Sequence, residues 1–246
     1  MFIKYLLLVT YFCLFSSFNP IGFKQGQLKH LRVKTAYKNH WATLKKEINA
    51  LKIDTTNFTV YLRAFKKEGE LEVWLKNKSE KKFTLFKPFS ICSSSGILGP
   101  KKKQGDGQVP ESFYKIVAYN PNSSYHLSLK VGYPNKADAK NNKEPLGGDI
   151  MVHGKCVTIG CIPIEDMPIE QVYILCVEAQ NKKQEVNIDI FPFKFTDKTK
   201  VSEAVNLYDK QLVEFWTNLF VCGQYFEKER ELTPVKINDK GKYYIN

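Results

Sequence analysis

Between residues 58 and 89 the apolar residues recur with a period of two, and that pattern rules out a helical reading of the segment. Residues 59–65, Thr59-Val60-Tyr61-Leu62-Arg63-Ala64-Phe65, are rich in β-branched and aromatic side chains. Lys66-Lys67-Glu68-Gly69 supplies a turn, and Glu70-Leu71-Glu72-Val73-Trp74-Leu75-Lys76 returns as acid, apolar, acid, apolar. A second turn over 77–81 leads into a third strand over 83–89. The arrangement is an antiparallel meander with short connections. Further strands are expected over 111–117, over 125–132 with His126, Ser128 and Lys130 on one face, and over 185–191. Helical periodicity is confined to the flanks. It marks a basic amphipathic helix over 28–51, a helix opened by Asp166 with Pro168 in its first turn, and another over 203–225. The expected fold class is therefore mostly β with flanking helices (α+β).

The chain of 246 residues is 43% hydrophobic and holds 17 Phe and 13 Tyr, which is enough for one sizeable core and argues against disorder. A net charge of +12 calls for an anionic partner or surface. The lysines are scattered and no nucleic-acid motif accompanies them, so nucleic acid is not expected as a partner. Lys4, the apolar run 5–15 and the small residues Ser16 and Ser17 form a secretory signal peptide over 1–18. A membrane contact is expected only if that segment stays uncleaved. The long loop 93–110 carries four glycines and Lys101, Lys102 and Lys103. It lacks the pattern of a phosphate cradle and reads as the border of a cleft. Residues 136–144, rich in lysine and asparagine, read as a mobile surface excursion.

Residues 147–164 carry the chemistry: Gly147-Gly148-Asp149-Ile150-Met151-Val152-His153-Gly154-Lys155-Cys156-Val157-Thr158-Ile159-Gly160-Cys161-Ile162-Pro163-Ile164. An apolar strand ends in a histidine followed by glycine, and a cysteine preceded by glycine follows. A thiol nucleophile needs a base for its proton, and His153 and Cys161 supply the pair. Glycines at 154 and 160 let the backbone bend, and the amides of Gly160 and Cys161 can face an oxyanion. Two other readings of the same residues stand beside this one. His153, Cys156 and Cys161 offer three metal ligands, without the paired spacing or fourth ligand of a zinc site. Cys156 and Cys161 can form a short disulfide in an oxidising compartment. Six cysteines, less Cys13 in the signal segment, leave five, so an exported chain keeps at least one free thiol unless it pairs between chains. Cys176 and Cys222 fall on apolar helix faces and read as core residues.

The stretch resembles the active-site segment of the YkuD-type L,D-transpeptidase catalytic domain, in its YafK-like (DpaA-like) murein branch. The resemblance rests on Ser95-Gly96, Gly99-Pro100-Lys101, the run 105–111, Asn120-Pro121-Asn122-Ser123, Tyr133-Pro134-Asn135, Met151-Val152-His153-Gly154, Thr158-Ile159-Gly160-Cys161 and Phe191-Pro192-Phe193. It covers about 58–220. It implies Cys161 as nucleophile, His153 as general base, the Gly154 carbonyl orienting the imidazole and Gly160 as an oxyanion amide. Tyr133, Thr158 and Lys101 are implied on the substrate side, with no metal and no cofactor. The chain departs from the broader family in three places. Ile159 stands where a second histidine is usual, Ile162-Pro163 replaces an arginine tied to stem-peptide recognition, and the interval from His153 to Cys161 is short. These departures match the YafK-like branch, in which a member frees a lipoprotein from murein.

The resemblance therefore implies an exported cysteine enzyme of the periplasm or cell envelope. It would act on peptidoglycan stem peptides at the diaminopimelate carbonyl through a thioester, as a transpeptidase or as an amidase releasing wall-attached protein. The alternative is a non-catalytic cell-wall-binding module with the same fold. The expected organisation is a signal peptide over 1–18, a basic helical segment over 19–55, the catalytic domain over 56–226 and a tail over 227–246.

Overall fold

Strand β1 (Phe58–Phe65) is buried on both faces, so its alternation sorts side chains between two cores. Val60, Leu62 and Ala64 join one; Tyr61, Arg63 and Phe65 face the other way. The computed structural model describes residues 22–195 and 207–245. β2 (Glu70–Asn77) pairs antiparallel with β1 and with β3 (Thr84–Ser90), which is the expected meander. β4 (Ser112–Asn120), β5 (Ser128–Val131), β6 (Met151–His153), β7 (Ile162–Pro163) and β8 (Asn187–Phe191) complete an eight-stranded mixed sheet in the order β3-β2-β1-β8-β4-β5-β6-β7. β8 lies parallel to β1, and β7 lies parallel to β6.

The main core lies between the sheet and two helices, α2 (Leu31–Ala50) and α4 (Asp166–Asn181). Val33, Ala36, Leu44 and Ile48 of α2 and Ile169, Val172, Tyr173 and Cys176 of α4 are all buried there. The opposite face is covered by Lys210–Glu229, here α5, through Trp216, Leu219, Cys222 and Phe226. Arg63 lies on that side, 1% exposed. Its guanidinium donates to Glu227 at 2.6 Å and reaches Glu72 at 3.4 Å. The Trp74 indole donates to the same Glu72 at 2.8 Å. The acid-apolar alternation of β2 thus turns an acidic residue inward to meet a buried cation rather than outward to water.

Several sequence expectations are corrected. The helix expected over 28–51 is α2, which opens at Leu31 after an extended His30; a short helix the sequence did not show, α1 (Phe23–Gln27), precedes it. The excursion 136–144 contains a helix, α3 (Lys136–Asn141). Asn135 accepts from the amides of Ala137 and Asp138, and Asp138 returns a bond to the Asn135 amide, so a capping box outweighs the polar composition. His126 is not on the β5 face; it precedes the strand with φ +71°. Glu165, not Asp166, holds the N-cap position of α4, and the Asp166 carboxylate instead accepts from the Lys155 amide at 2.8 Å. α5 runs later than the expected 203–225, whose residues 203–206 lie outside the described residues, as does the segment 1–18. In the C-terminal stretch, β9 (Lys236–Ile237) and β10 (Tyr243–Tyr244) form a hairpin. Asn218 of α5 clips it by bonding both the amide and the carbonyl of Tyr243, at 2.9 and 2.7 Å. No helix among the described residues is long and apolar enough to cross a membrane.

Asp189 in β8 is 3% exposed and accepts from the Tyr61 hydroxyl. Burial lifts its carboxyl to about 7, against the opposing pull of the Tyr61 bond and the Arg63 charge. A folded-state value above the unfolded one means that the native protein holds the extra proton. The stability contributed by protonated Asp189 is full below about pH 4 and is lost as pH rises through about 7. Asp189→Asn should flatten the urea midpoint across that window. Parallel curves for variant and parent would show that Asp189 ionises normally.

Candidate active site

β6 and β7 are parallel neighbours joined only by residues 154–161. A parallel connection normally takes a dozen or more residues, because the chain must return to its starting edge before running forward again. Here the return is compressed into a loop with φ +58° at Lys155 and +128° at Gly160. A Cβ on Gly160 would also stand 3.3 Å from the Gln108 carbonyl, so both conformation and space favour glycine. The Thr158 hydroxyl ties the end of the loop. It accepts from the amides of Gly160 at 3.2 Å and Cys161 at 2.8 Å, and donates to the Cys161 carbonyl at 2.8 Å. Cys156 is joined by a disulfide to Cys92, just past β3, with Cα atoms 5.6 Å apart. The Cys156–Cys161 bridge is therefore excluded. The three-ligand reading of His153, Cys156 and Cys161 loses a thiolate, and no group of three metal-binding side chains occurs among the described residues.

Register brings the histidine and the free cysteine together. Val152 pairs with Ile162 and His153 with Pro163. Carrying the alternation back from Pro163 sets Cys161 and His153 on one face, with Cα atoms about 8 Å apart from strand spacing and rise. Val152 and Ile162 point the other way, into the main core. His153 is 2% exposed, and the Tyr125 ring packs on it at 4.8 Å between centroids. Its Nδ1 lies 2.6 Å from the Gly154 carbonyl oxygen, which can only accept. The proton therefore sits on Nδ1, and Nε2 carries the free lone pair. Gly154 has no room for a side chain: a Cβ would meet Asp166 Oδ1 at 2.5 Å and the Tyr125 carbonyl at 2.9 Å.

Burial lowers the imidazole pKa, partly offset by the Gly154 bond. Burial also pushes the Cys161 thiol up; a backbone bond from Met151 and the Lys101 charge pull it back, and Asp149 adds to the rise. Both shifts disfavour charge. The neutral forms are favoured, the thiol donates to the Asp149 carbonyl at 3.5 Å, and a proton must leave sulfur as the thiol reacts. Cys176 and Cys222 are buried, and Cys161 is the only partly exposed free thiol among the described residues.

Cys161 borders a cavity of about 230 Å³. The strand ends supply Ala64, Lys66, Ile162 and Ile190, and the loop 93–98 forms the facing wall. That loop has no regular structure of its own and is held by buried polar side chains. Lys66 Nζ donates to the carbonyls of Gly99 and Val109, each at 2.9 Å, and pairs with Glu111 at 2.8 Å. Glu111 accepts in turn from the Gly99 amide at 2.6 Å and from the Trp216 indole at 2.7 Å. The Gln108 amide group bonds both the N–H and the C=O of Ile97. The larger, open groove of about 610 Å³ along α5, from Tyr208 to Lys242, contains none of these residues.

The remaining expected site residues are placed unevenly. The amides of Gly160 and Cys161 both face the Thr158 hydroxyl, so an incoming oxyanion has to displace it. Lys101 is 3% exposed and its ammonium is taken by Asp106 and the Lys103 carbonyl, so it acts on Cys161 through its charge rather than as a free substrate contact. Tyr133 lies beside it, with the ammonium 5.9 Å from its ring and its hydroxyl buried without a partner among the described residues. Sequence reading gave no site role to Cys92, Lys66 or Tyr125, and quoted Gln108 and Glu111 only within the run 105–111. The only available signal for them was their position in or beside the glycine-rich loop and the strand ends.

A mixed sheet thus carries a partly exposed thiol and a buried imidazole, with a cavity beside the thiol. The chain belongs to the L,D-transpeptidase family. It is 31% identical over 190 residues to the Escherichia coli K12 protein named "Putative L,D-transpeptidase YafK", covering 76% of this chain and 74% of the relative. The protein of the same name from Escherichia coli O157:H7 gives the same figures. No protein-family profile matches the chain. Among solved structures, the helical cell shape determining protein Pgp2 from Campylobacter jejuni aligns with a TM-score of 0.46 at 18% identity, covering 74% of each chain. Bd1075 from Bdellovibrio bacteriovorus aligns at 0.40 and 21% identity, covering 70% of this chain and 62% of that one.

With the thiol raised by burial, alkylation by iodoacetamide, followed by intact mass, should modify Cys161 first and rise with pH to a midpoint above that of an unperturbed cysteine. A midpoint near 6 would reveal a preformed thiolate–imidazolium pair instead. Thr158→Val should lower Cys161-dependent activity by about tenfold, because the hydroxyl that ties the end of the loop to the Cys161 backbone is lost, while Thr158→Ser should keep it.

Proposed function

We propose that this protein is an exported murein enzyme in which Cys161 attacks the diaminopimelate carbonyl of a peptidoglycan stem peptide. The observation that carries the reading is the single-face placement of Cys161 and His153, with the Gly154 carbonyl fixing the tautomer that leaves Nε2 basic. Nε2 takes the thiol proton as sulfur bonds to the carbonyl carbon. The resulting oxyanion is received by the amides of Gly160 and Cys161 once the Thr158 hydroxyl turns away. The imidazolium returns its proton to the departing amine, the C–N bond breaks, and a thioester remains. Water or a second amine, deprotonated by the same imidazole, then attacks the thioester and releases the thiol. Water makes the protein an amidase, able to free wall-attached protein; an amine makes it a transpeptidase.

Supporting this reading are the family membership, the cavity beside Cys161 and the net charge of +12, which suits a carboxylate-rich polymer. The sequence signal at 1–18 suits export to the periplasm or cell envelope. Tyr133, with its buried hydroxyl unpartnered among the described residues, is the best placed of the expected substrate-side residues to accept a new hydrogen bond.

The test is incubation with purified sacculi and defined muropeptides, with products read by mass spectrometry. Cys161→Ala should abolish turnover, and His153→Ala should lower it by roughly 10²–10⁴-fold. Incorporation of ¹⁸O from labelled water identifies hydrolysis, and new amide cross-links identify transpeptidation. Binding to sacculi with no Cys161-dependent product would leave the wall-binding module as the function.

A further inference from the structure

The disulfide joins two segments that come from opposite ends of the sheet order. Cys92 follows β3, the edge strand at one end of the sheet order, and Cys156 lies in the loop that feeds β7, the edge strand at the other. The Cys92 amide donates to the Pro163 carbonyl at 3.0 Å, so the chain past β3 already runs beside β7. The bridge lies next to that bond and spans a sequence separation of 64. On the Cys92 side, the following residues 93–98 form the cavity wall facing Cys161. On the Cys156 side, the chain reaches Cys161 after a further turn held by Thr158. Without the bridge, the tight parallel return is anchored by the Lys155–Asp166 bond, the Thr158 turn and the two residues of β7.

We infer that Cys92 and Cys156 are positioning residues for Cys161: their bridge closes the two edges of the curled sheet and holds the nucleophile's loop against the cavity wall. The inference rests on the proposed acyl transfer for its catalytic consequence, but the placement of the thiol can be read without any murein substrate. The bridge touches neither substrate nor the reacting atoms, and it acts only through the loop it restrains. Its loss should admit water around Cys161, making the thiol easier to ionise and to alkylate while making it worse placed for attack.

The experiment compares the parent with Cys92→Ser/Cys156→Ser. Both positions are changed because a lone Cys156 could pair with Cys161. Near-UV circular dichroism first shows that the variant is folded. Iodoacetamide alkylation of Cys161 is then followed across pH 6–10, and turnover is measured on defined muropeptides. The expected result is alkylation at pH 7 faster by at least about threefold, with its pH midpoint moved down. Turnover should show kcat lower by about tenfold and KM changed by less than about twofold.

A lower melting temperature with an unchanged alkylation profile and unchanged kcat would overturn the inference and leave a purely global brace. If the variant does not fold, the parent's bridge is reduced in the cold with a water-soluble phosphine. The phosphine becomes its oxide with oxygen from water and leaves two thiols, and the same alkylation profile is taken on the folded protein. Unfolding on reduction would equally overturn a local positioning role. A shifted alkylation profile with no murein turnover in the parent would uphold the positioning of Cys161 and sink the proposed function instead.

Discussion

The site depends on one constraint, the parallel return between β6 and β7. Antiparallel strands can turn over two residues, whereas parallel ones need length to double back. Residues 154–161 make that return with little chain, and each device in the loop serves it. Lys155 and Gly160 accept left-handed backbone, Gly154 leaves space for the Tyr125 carbonyl and Asp166, and Thr158 gathers the closing amides. The consequence is that His153 at the end of one strand and Cys161 at the start of the next share a face.

The rest of the fold supports that loop from two sides. From below, α4 begins just after β7, and its Glu170 holds both His40 of α2 and His126, each at 2.7 Å, tying the N-terminal helix to the segment that carries Tyr125. From across the cavity, Lys66 and Glu111 organise an otherwise irregular wall. An ion pair this deeply buried gives little net stability, because desolvating both charges offsets their attraction. Its effect is directional: the ammonium bonds two carbonyls and the carboxylate accepts an amide and an indole, which fixes where the wall stands. Burial favours the neutral forms of both the thiol and the imidazole.

Much of the fold was legible in the sequence because its signals are local. The β1–β2–β3 meander follows from period-two alternation and two turns, and α4 from an i, i+3, i+4 stripe. The misreadings have local causes too. α3 was hidden by a lysine- and asparagine-rich composition that its Asn135 cap overrides. His126 fits a strand pattern by spacing but takes a left-handed conformation. The acid-apolar alternation marked β2 as the returning strand but not that Glu72 turns inward, where it meets Arg63 of the neighbouring strand at 3.4 Å and Lys194 at 3.1 Å.

The sequence by itself determined the mostly β class with flanking helices, the family, and the histidine-glycine and glycine-cysteine pairs, since each is written in a short run of residues. Only the tertiary structure decided which cysteines pair, where the cavity lies and what holds its wall. Cys92 and Cys156 meet because the two ends of an eight-stranded sheet curl toward each other, and Lys66 finds Glu111 because a long loop folds back over a strand end. Such contacts depend on sheet order and curvature, which arise from the packing of the whole chain and leave no spacing in the sequence.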